Sequence, residues 1–156
     1  MRSLLILSIA LPLITAAAQA ETFTFTGSIN PAAGMRIAAP GPMGKPIVGA
    51  SVKVEMDMVW ASAGKSHATY DCIVFSAPPA SGQTIQGVCA ATESDGGKYS
   101  VLFNCLADEK SPQSDCWGRI AYSAGKNAGK VGTMSWHDSL NADGKSITSI
   151  GAGNLN

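Results

Sequence analysis

The sequence contains few of the features on which most functional assignments rest. Only 14% of its 156 residues are charged and 6% are aromatic. Beyond its N-terminus, no stretch contains the roughly 18 consecutive apolar residues that span a bilayer as a helix. The motifs G-x-S-x-G and H-E-x-x-H and the phosphate-binding loop are also absent. The sequence therefore gives no indication of a serine hydrolase, a zinc protease or a nucleotide-binding enzyme, and no cofactor is predicted.

The one apolar run, Leu4 to Ile14, has the pattern of an export signal. Arg2 precedes it, and the small-x-small triplet at residues 18–20 follows it, as signal peptidase requires. The sequence therefore predicts a signal peptide at residues 1–20 and a mature chain at residues 21–156. No cysteine lies near the cleavage site, where a lipid anchor would need one as the first mature residue, so a lipid anchor is not expected. The mature protein is predicted to be periplasmic or secreted.

The charge of the mature chain gives no electrostatic reason to bind nucleic acid or an anionic membrane. Removing Arg2 from the eleven basic residues leaves ten against eleven acidic ones, a net charge near −1. The predicted strands carry charges such as Lys53, Glu55 and Asp57 on one face, so insertion of strands into a membrane is not expected. The length predicts one domain. Nothing in the sequence indicates an oligomeric state.

The mature chain contains four cysteines, at Cys72, Cys89, Cys105 and Cys116. In an exported protein they are expected to form two disulfides, with three possible connectivities. Pairing in sequence order fits the strand pattern best, because each bridge then closes a short hairpin and adds about 2–3 kcal/mol of stability. A zinc site is the alternative. The spacings contain no C-x-x-C pair and only His67 and His137 could assist, so no metal site is predicted.

Alternation of apolar and polar residues predicts about eight strands joined by short turns. The predicted strands are Glu21–Ile29, Ser51–Trp60, His67–Ser76, Thr84–Thr92, Tyr99–Leu106, Asp115–Ser123, a strand around Met134–Trp136, and Lys145–Asn154. No helical pattern follows any of them, so the predicted fold is all-β and antiparallel. A closed meander barrel leaves no exposed strand edge and is the predicted architecture. A β-sandwich is the alternative.

Two segments have a more specific prediction. The stretch Tyr122 to His137 is predicted to form a hairpin, in which Gly125, Gly129 and Gly132 can adopt the positive φ of tight turns and bulges. Residues 30–49 are rich in proline and glycine and are predicted to form a long loop. Apolar side chains in this loop could fold over an opening as a lid.

The glycines of the C-terminal third follow the order G-x(6)-G-x-x-A-G-x-x-G-T from Gly118 to Thr133, with Trp136 and Gly151 after them. This pattern resembles the allene oxide cyclase barrel-like group, which includes plant allene oxide cyclases, dirigent proteins and exported bacterial proteins. The resemblance covers Gly118 to Asn154. It implies an eight-stranded barrel whose interior can hold an apolar molecule. It transfers no catalytic residue, because no active-site motif of the group is matched residue by residue.

One row of apolar side chains is the candidate ligand-binding surface. Beside Val52, the row contains Val54, Met56, Met58 and Trp60. Methionine adapts to irregular apolar ligands, and the tryptophan could cap a cavity. The same row would serve equally as ordinary core. Eight-stranded barrels have the size at which the interior is either filled by side chains or holds one small ligand.

The catalytic candidates are His67, Tyr70 and His137. In the trio at residues 136–138, neighbours point to opposite faces of a strand, so Trp136, His137 and Asp138 do not form one local cluster. His67 shares a face with Asp71, an arrangement that could orient an imidazole as a general base. Both histidines could equally lie on solvated outer faces.

These observations lead to two main hypotheses. The first is a binding or structural module that holds a small apolar molecule, or a partner surface, without chemistry. The second is an isomerase or cyclase that confines an apolar substrate inside the barrel. The interior distinguishes them, because such an enzyme needs convergent polar groups in an otherwise dry cavity. A barrel filled by its own side chains would instead act through its outer surface.

Overall fold

Nine strands appear in the computed structural model, which describes residues 20–31, 34–77, 83–107 and 113–156. The strands are β1 Glu21–Ile29, β2 Arg36–Ala39, β3 Ile47–Trp60, β4 Gly64–Ala77, β5 Gln83–Glu93, β6 Lys98–Ala107, β7 Gln113–Ala124, β8 Val131–Leu140 and β9 Ile147–Leu155. A short 3-10 helix, Pro42–Gly44, precedes β3, and the described residues contain no α-helix. The predicted signal peptide lies outside the described residues except for Ala20.

Eight of the strands form a closed antiparallel barrel. From β3 to β9 each strand pairs with the next, and β1 closes the ring by pairing with β9 on one side and β3 on the other. Closure leaves no free strand edge around the ring. The predicted meander barrel is therefore confirmed, and the sandwich alternative is wrong. All eight predicted barrel strands are present, most of them longer than the alternation alone indicated.

The segment predicted as a loop, residues 30–49, contains regular structure that the sequence did not indicate. The extra strand β2 pairs with the first residues of β3, from Arg36 opposite Ala50 to Ala39 opposite Ile47, and lies outside the ring. Prolines and glycines exclude a long strand here, but none falls within residues 35–39. This short interval is sufficient for a ladder, and Pro40 ends it because proline cannot donate a backbone hydrogen bond.

The disulfides have the predicted pairing, Cys72 with Cys89 and Cys105 with Cys116. Each bridge joins residues directly opposite one another on neighbouring strands, and all four side chains are buried inside the barrel. No described cysteine is free. Because the sulfurs are bonded to each other, none is available as the thiolate ligand that the zinc alternative requires.

The predicted hairpin is formed by β7 and β8. Gly125 and Gly129 in its turn have φ values of 85° and 84°, which favour glycine. Gly132 has a different role, since it lies within β8 and faces the interior. A side chain at Gly132 would collide with the backbone of Asn154 on β9, so this glycine permits two strands to approach closely.

The interior is packed at one end of the barrel and open at the other. At the packed end, Phe23 lies against Trp60 with ring centroids 4.6 Å apart, and Tyr99 lies against Tyr122 at 4.5 Å. These four side chains are at most 4% exposed. The opposite end, termed the open end, has smaller inward side chains that are only partly buried, namely Val52, Val74 and Ile147.

Candidate functional site

A cavity of about 280 Å³ occupies the open end of the barrel. Its walls are the inward side chains of the ring strands, mostly aliphatic or aromatic, including Ile29, Val52, Val74, Ile85, Phe103 and Trp136. Ligand pockets are commonly about 300–1,000 Å³. The cavity is therefore near the lower limit of that range and fits a small molecule.

Side-chain size along β3 explains where the cavity begins. At the packed end the inward positions hold Met58 and Trp60, whereas at the open end they hold Val48, Ala50 and Val52. Eight strands give an interior just wide enough for side chains to fill, so smaller side chains leave space. The barrel is thus filled in one half and hollow in the other.

The predicted ligand-binding row is divided between these two halves. Val54 and Met56 line the cavity. Met58 and Trp60, by contrast, are 1% and 2% exposed, and the Trp60 indole donates a 2.8 Å hydrogen bond to the Ser66 hydroxyl. Met58 and Trp60 thus belong to the packed end, and a tryptophan from another strand, Trp136, lines the cavity instead.

Asp138 and Ser149 place polar groups in the apolar wall. They are opposite one another in the β8–β9 ladder, and the Ser149 hydroxyl donates a hydrogen bond to Asp138 Oδ1. Burial raises the pKa of Asp138, while hydrogen bonds from Ser149 and Trp136 partly offset this effect. No Lys or Arg in the described ranges forms an ion pair with Asp138. The cavity therefore combines apolar walls with a carboxyl group that can accept or donate a proton.

Tyr70 is the one catalytic candidate that reaches the cavity. Its hydroxyl donates to Met56 Sδ at 3.1 Å and is hydrogen-bonded to the Tyr99 hydroxyl. Burial raises the pKa of Tyr70 strongly, so the phenol stays protonated. Tyr70 therefore forms the floor of the cavity and connects it to the packed end.

His67 lies on the outer surface, away from the cavity. Its Nδ1 is 2.8 Å from Asp57 Oδ1, and its Nε2 is 2.9 Å from Glu55 Oε2. The hydrogen bond to Asp57, and then that to Glu55, raises the pKa of His67, which favours the protonated imidazole over a general base. Asp71, its expected partner, pairs with Lys53 at 2.8 Å instead. These groups form a charged row on the solvated face of β3 and β4.

His137 also faces outward. It is 45% exposed, and its Nδ1 is 2.8 Å from Asp115 Oδ1 on β7. Trp136 and Asp138, its two neighbours, both line the cavity, as strand alternation requires. The structure thus separates this trio as the sequence predicted. The catalytic candidate His137 does not face the cavity, whereas the Asp138 carboxyl group does.

A second buried carboxyl group, Glu93, lies at the packed end and was not among the predicted site residues. Glu93 is 3% exposed, and Tyr122 donates a 2.7 Å hydrogen bond to its Oε1. Burial raises the pKa of Glu93, the Tyr122 bond lowers it, and repulsion by Asp95 raises it further. The other oxygen, Oε2, has no hydrogen-bond partner in the described part of the chain.

The Glu93→Gln variant is expected to become more stable than wild type, by a margin that grows as pH rises. Because the pKa of Glu93 is raised on folding, the folded chain binds more protons than the unfolded chain between the ordinary and the raised value. In that interval this group makes the free energy of unfolding fall as pH increases. Glutamine removes the dependence. Urea unfolding of both proteins from about pH 4 to about pH 8 measures the difference.

Asp143→Asn, in the turn between β8 and β9, is the matched control, because hydrogen bonds from the Lys145 backbone and then the Ser146 backbone lower the pKa of Asp143. Stability from this group is present above the ordinary carboxyl pKa and lost as pH falls through the lowered value. The control should therefore lose stability relative to wild type as pH rises. Parallel curves for wild type and Glu93→Gln would contradict the prediction.

Comparison with known proteins adds no assignment. No protein-family model matches the sequence, and no curated protein is significantly similar to it. Within the described ranges, no helix has the length and apolar character needed to cross a bilayer. Function must therefore be argued from the cavity and its side chains.

Proposed function

We propose that this protein is an exported barrel that binds a small, largely apolar molecule in the cavity at its open end. The observation that carries the proposal is the apolar cavity of about 280 Å³ in a barrel whose other half is densely packed. Two disulfides are typical of proteins in an oxidising compartment, which supports the predicted export signal and a periplasmic or secreted location.

The frame around the cavity favours binding. Hydrogen-bonded ladders surround the cavity, and two disulfides in its wall connect β4 to β5 and β6 to β7. A site that is already shaped before the ligand arrives loses little conformational entropy on binding. Burial of an apolar ligand then contributes about 25 cal/mol for each Å² removed from water.

Membership of the allene oxide cyclase barrel-like group is part of this proposal. It is supported by the closed ring of eight antiparallel strands and by the interior cavity, both of which the resemblance implies. It is also supported by the position of the glycines on which the resemblance rests, since Gly118, Gly132 and Gly151 all lie where a side chain would collide with a neighbouring strand. No residue role is taken from the group.

The Val74→Phe variant tests the proposed site with 1-hexanol as the probe. Val74 lines the cavity, so phenylalanine fills part of the space, and we expect the affinity for hexanol to fall at least about tenfold. Binding is measured by NMR of the methionine methyl groups. Met56 and Met134 line the cavity and should shift on titration, whereas Met35, which is 70% exposed, should not.

Ile73→Phe is the matched control, because Ile73 precedes Val74 on β4 and is 68% exposed on the outer face. It should bind hexanol as wild type does. The proposal fails if wild-type protein shows no saturable shift at Met56 or Met134. It fails also if Val74→Phe binds hexanol as tightly as Ile73→Phe.

A second candidate function, an isomerase or cyclase for an apolar substrate, is favoured by one observation. Asp138 lies in the cavity wall with its pKa raised by burial, and a carboxyl group in an apolar wall can act as a general acid or base. Under this candidate, incubation of the protein with an extract of the exported fraction would produce a new chromatographic peak of unchanged mass. The Asp138→Asn variant would not produce it.

A further inference from the structure

We infer that the cavity selects apolar molecules that carry an amine, with the ammonium group of the ligand paired to Asp138. This inference rests on the proposed function, because it specifies the ligand class of the same cavity. It follows from three observations: the unmatched hydrogen-bonding capacity of Asp138, the aromatic surface beside it, and the positions of the nearest cationic side chains.

Asp138 has room for a cationic partner. Its Oδ1 accepts the Ser149 hydroxyl, the Trp136 side chain donates a second hydrogen bond, and its Oδ2 lies 3.5 Å from Cys116 Sγ, which is in a disulfide and has no proton to donate. A carboxylate has about four acceptor positions, so about two of them stay open. A carboxylate held in an apolar wall is costly unless it is paired, and an ammonium ligand would provide the missing pair.

The aromatic side chains next to Asp138 also favour a cation. Trp136 lies two residues before Asp138 on the same face of β8 and lines the cavity, and Phe103 packs against it with ring centroids 5.5 Å apart. The face of an aromatic ring attracts ammonium groups, and tryptophan does so most strongly. A neutral hydroxyl group could donate a hydrogen bond to the carboxylate, but it would gain neither this attraction nor an ion pair.

The cationic side chains nearby do not satisfy Asp138. His137 points outward and pairs with Asp115, as described above. Arg36 lines the cavity from β2, outside the ring, and is exposed to solvent. Water screens the charge of Arg36 more than that of the half-buried Asp138, so the carboxylate dominates the field in the cavity.

Three probes with the same chain and different head groups test the inference: hexylamine, 1-hexanol and hexanoate. At neutral pH the amine is protonated, as a lysine side chain is. Both head groups can donate to Asp138, but only the ammonium adds the attraction of a full positive charge to a half-buried carboxylate, so we expect hexylamine to bind at least about tenfold more tightly than hexanol. Hexanoate should bind most weakly, since its charge is repelled by Asp138.

Asp138→Asn keeps the shape of the side chain and removes its charge. It should abolish the preference for hexylamine over hexanol. Ser149→Ala is the matched variant that keeps the carboxylate, and it should retain the preference for the amine. The comparison of the three probes in wild-type protein decides the question even where a variant does not fold.

The outcomes separate this inference from the proposed function. Equal binding of hexylamine and hexanol overturns the amine selectivity but leaves the apolar binding site in place. Tighter binding of hexanoate also overturns it and assigns Arg36 as the partner of the head group. Absence of binding by all three probes overturns the proposed function itself.

Discussion

Replacing all four cysteines by alanine is expected to leave the protein unfolded at 37 °C. The bridges connect residues that are 17 and 11 positions apart in sequence. A bridge that closes a loop of this length stabilises the folded state by about 3 kcal/mol, because it restricts the unfolded chain. The combined loss of roughly 6 kcal/mol is comparable with the whole stability of a small domain, about 5–15 kcal/mol. Near-ultraviolet circular dichroism during thermal unfolding provides the measurement.

The position of the bridges is a second reason for a large effect. All the cysteines except Cys116 line the cavity, in the half of the barrel that has little core packing. At this end the disulfides hold strands together where side chains do not fill the space. Removal of one bridge at a time should therefore increase hydrogen exchange at the open end more than around Trp60 and Tyr122. An unchanged melting temperature in the alanine variant would contradict this account.

The barrel and its disulfides could be predicted because both depend on local patterns. Alternation along Ser51 to Trp60 identifies one buried face without knowledge of any other strand, and short turns between successive strands leave few topologies. Each cysteine pair belongs to one hairpin, so strand order favoured this pairing over the other two connectivities. β2 was missed because it is only four residues long and the prolines around it dominate the composition of the segment.

The site could be predicted only in part, because the volume of the cavity depends on the sizes of the inward side chains of all eight ring strands. Val54 and Met58 look alike in the alternation of β3, yet one borders the cavity and the other is core. Alternation does place Asp138 on the inward face with Trp136. Glu93 shares the inward face of Cys89 and Ala91, but it directly precedes a turn and so resembles a solvated residue.

Gly151→Ala is expected to destabilise the protein by about 3 kcal/mol, the upper part of the usual range for overpacking. A side chain at this position on β9 would place its Cβ 2.5 Å from the Phe25 ring and 2.5 Å from Trp136 Cβ, and closer still to the Ser135 backbone oxygen. Neither ring can move away without losing packing energy, since Phe25 and Trp136 pack edge to face with centroids 6.4 Å apart. Urea unfolding measures the change.

Gly49→Ala is the control, because an added Cβ there meets no atom within 4 Å. It should change stability by less than about 1 kcal/mol and could raise it by restricting the unfolded chain. Gly151→Ala should also weaken hexanol binding, because displacement of Trp136 alters a wall of the cavity. Equal stability of the two variants would contradict the role of Gly151. A large loss of stability with unchanged hexanol affinity would show that Phe25 moves instead of Trp136.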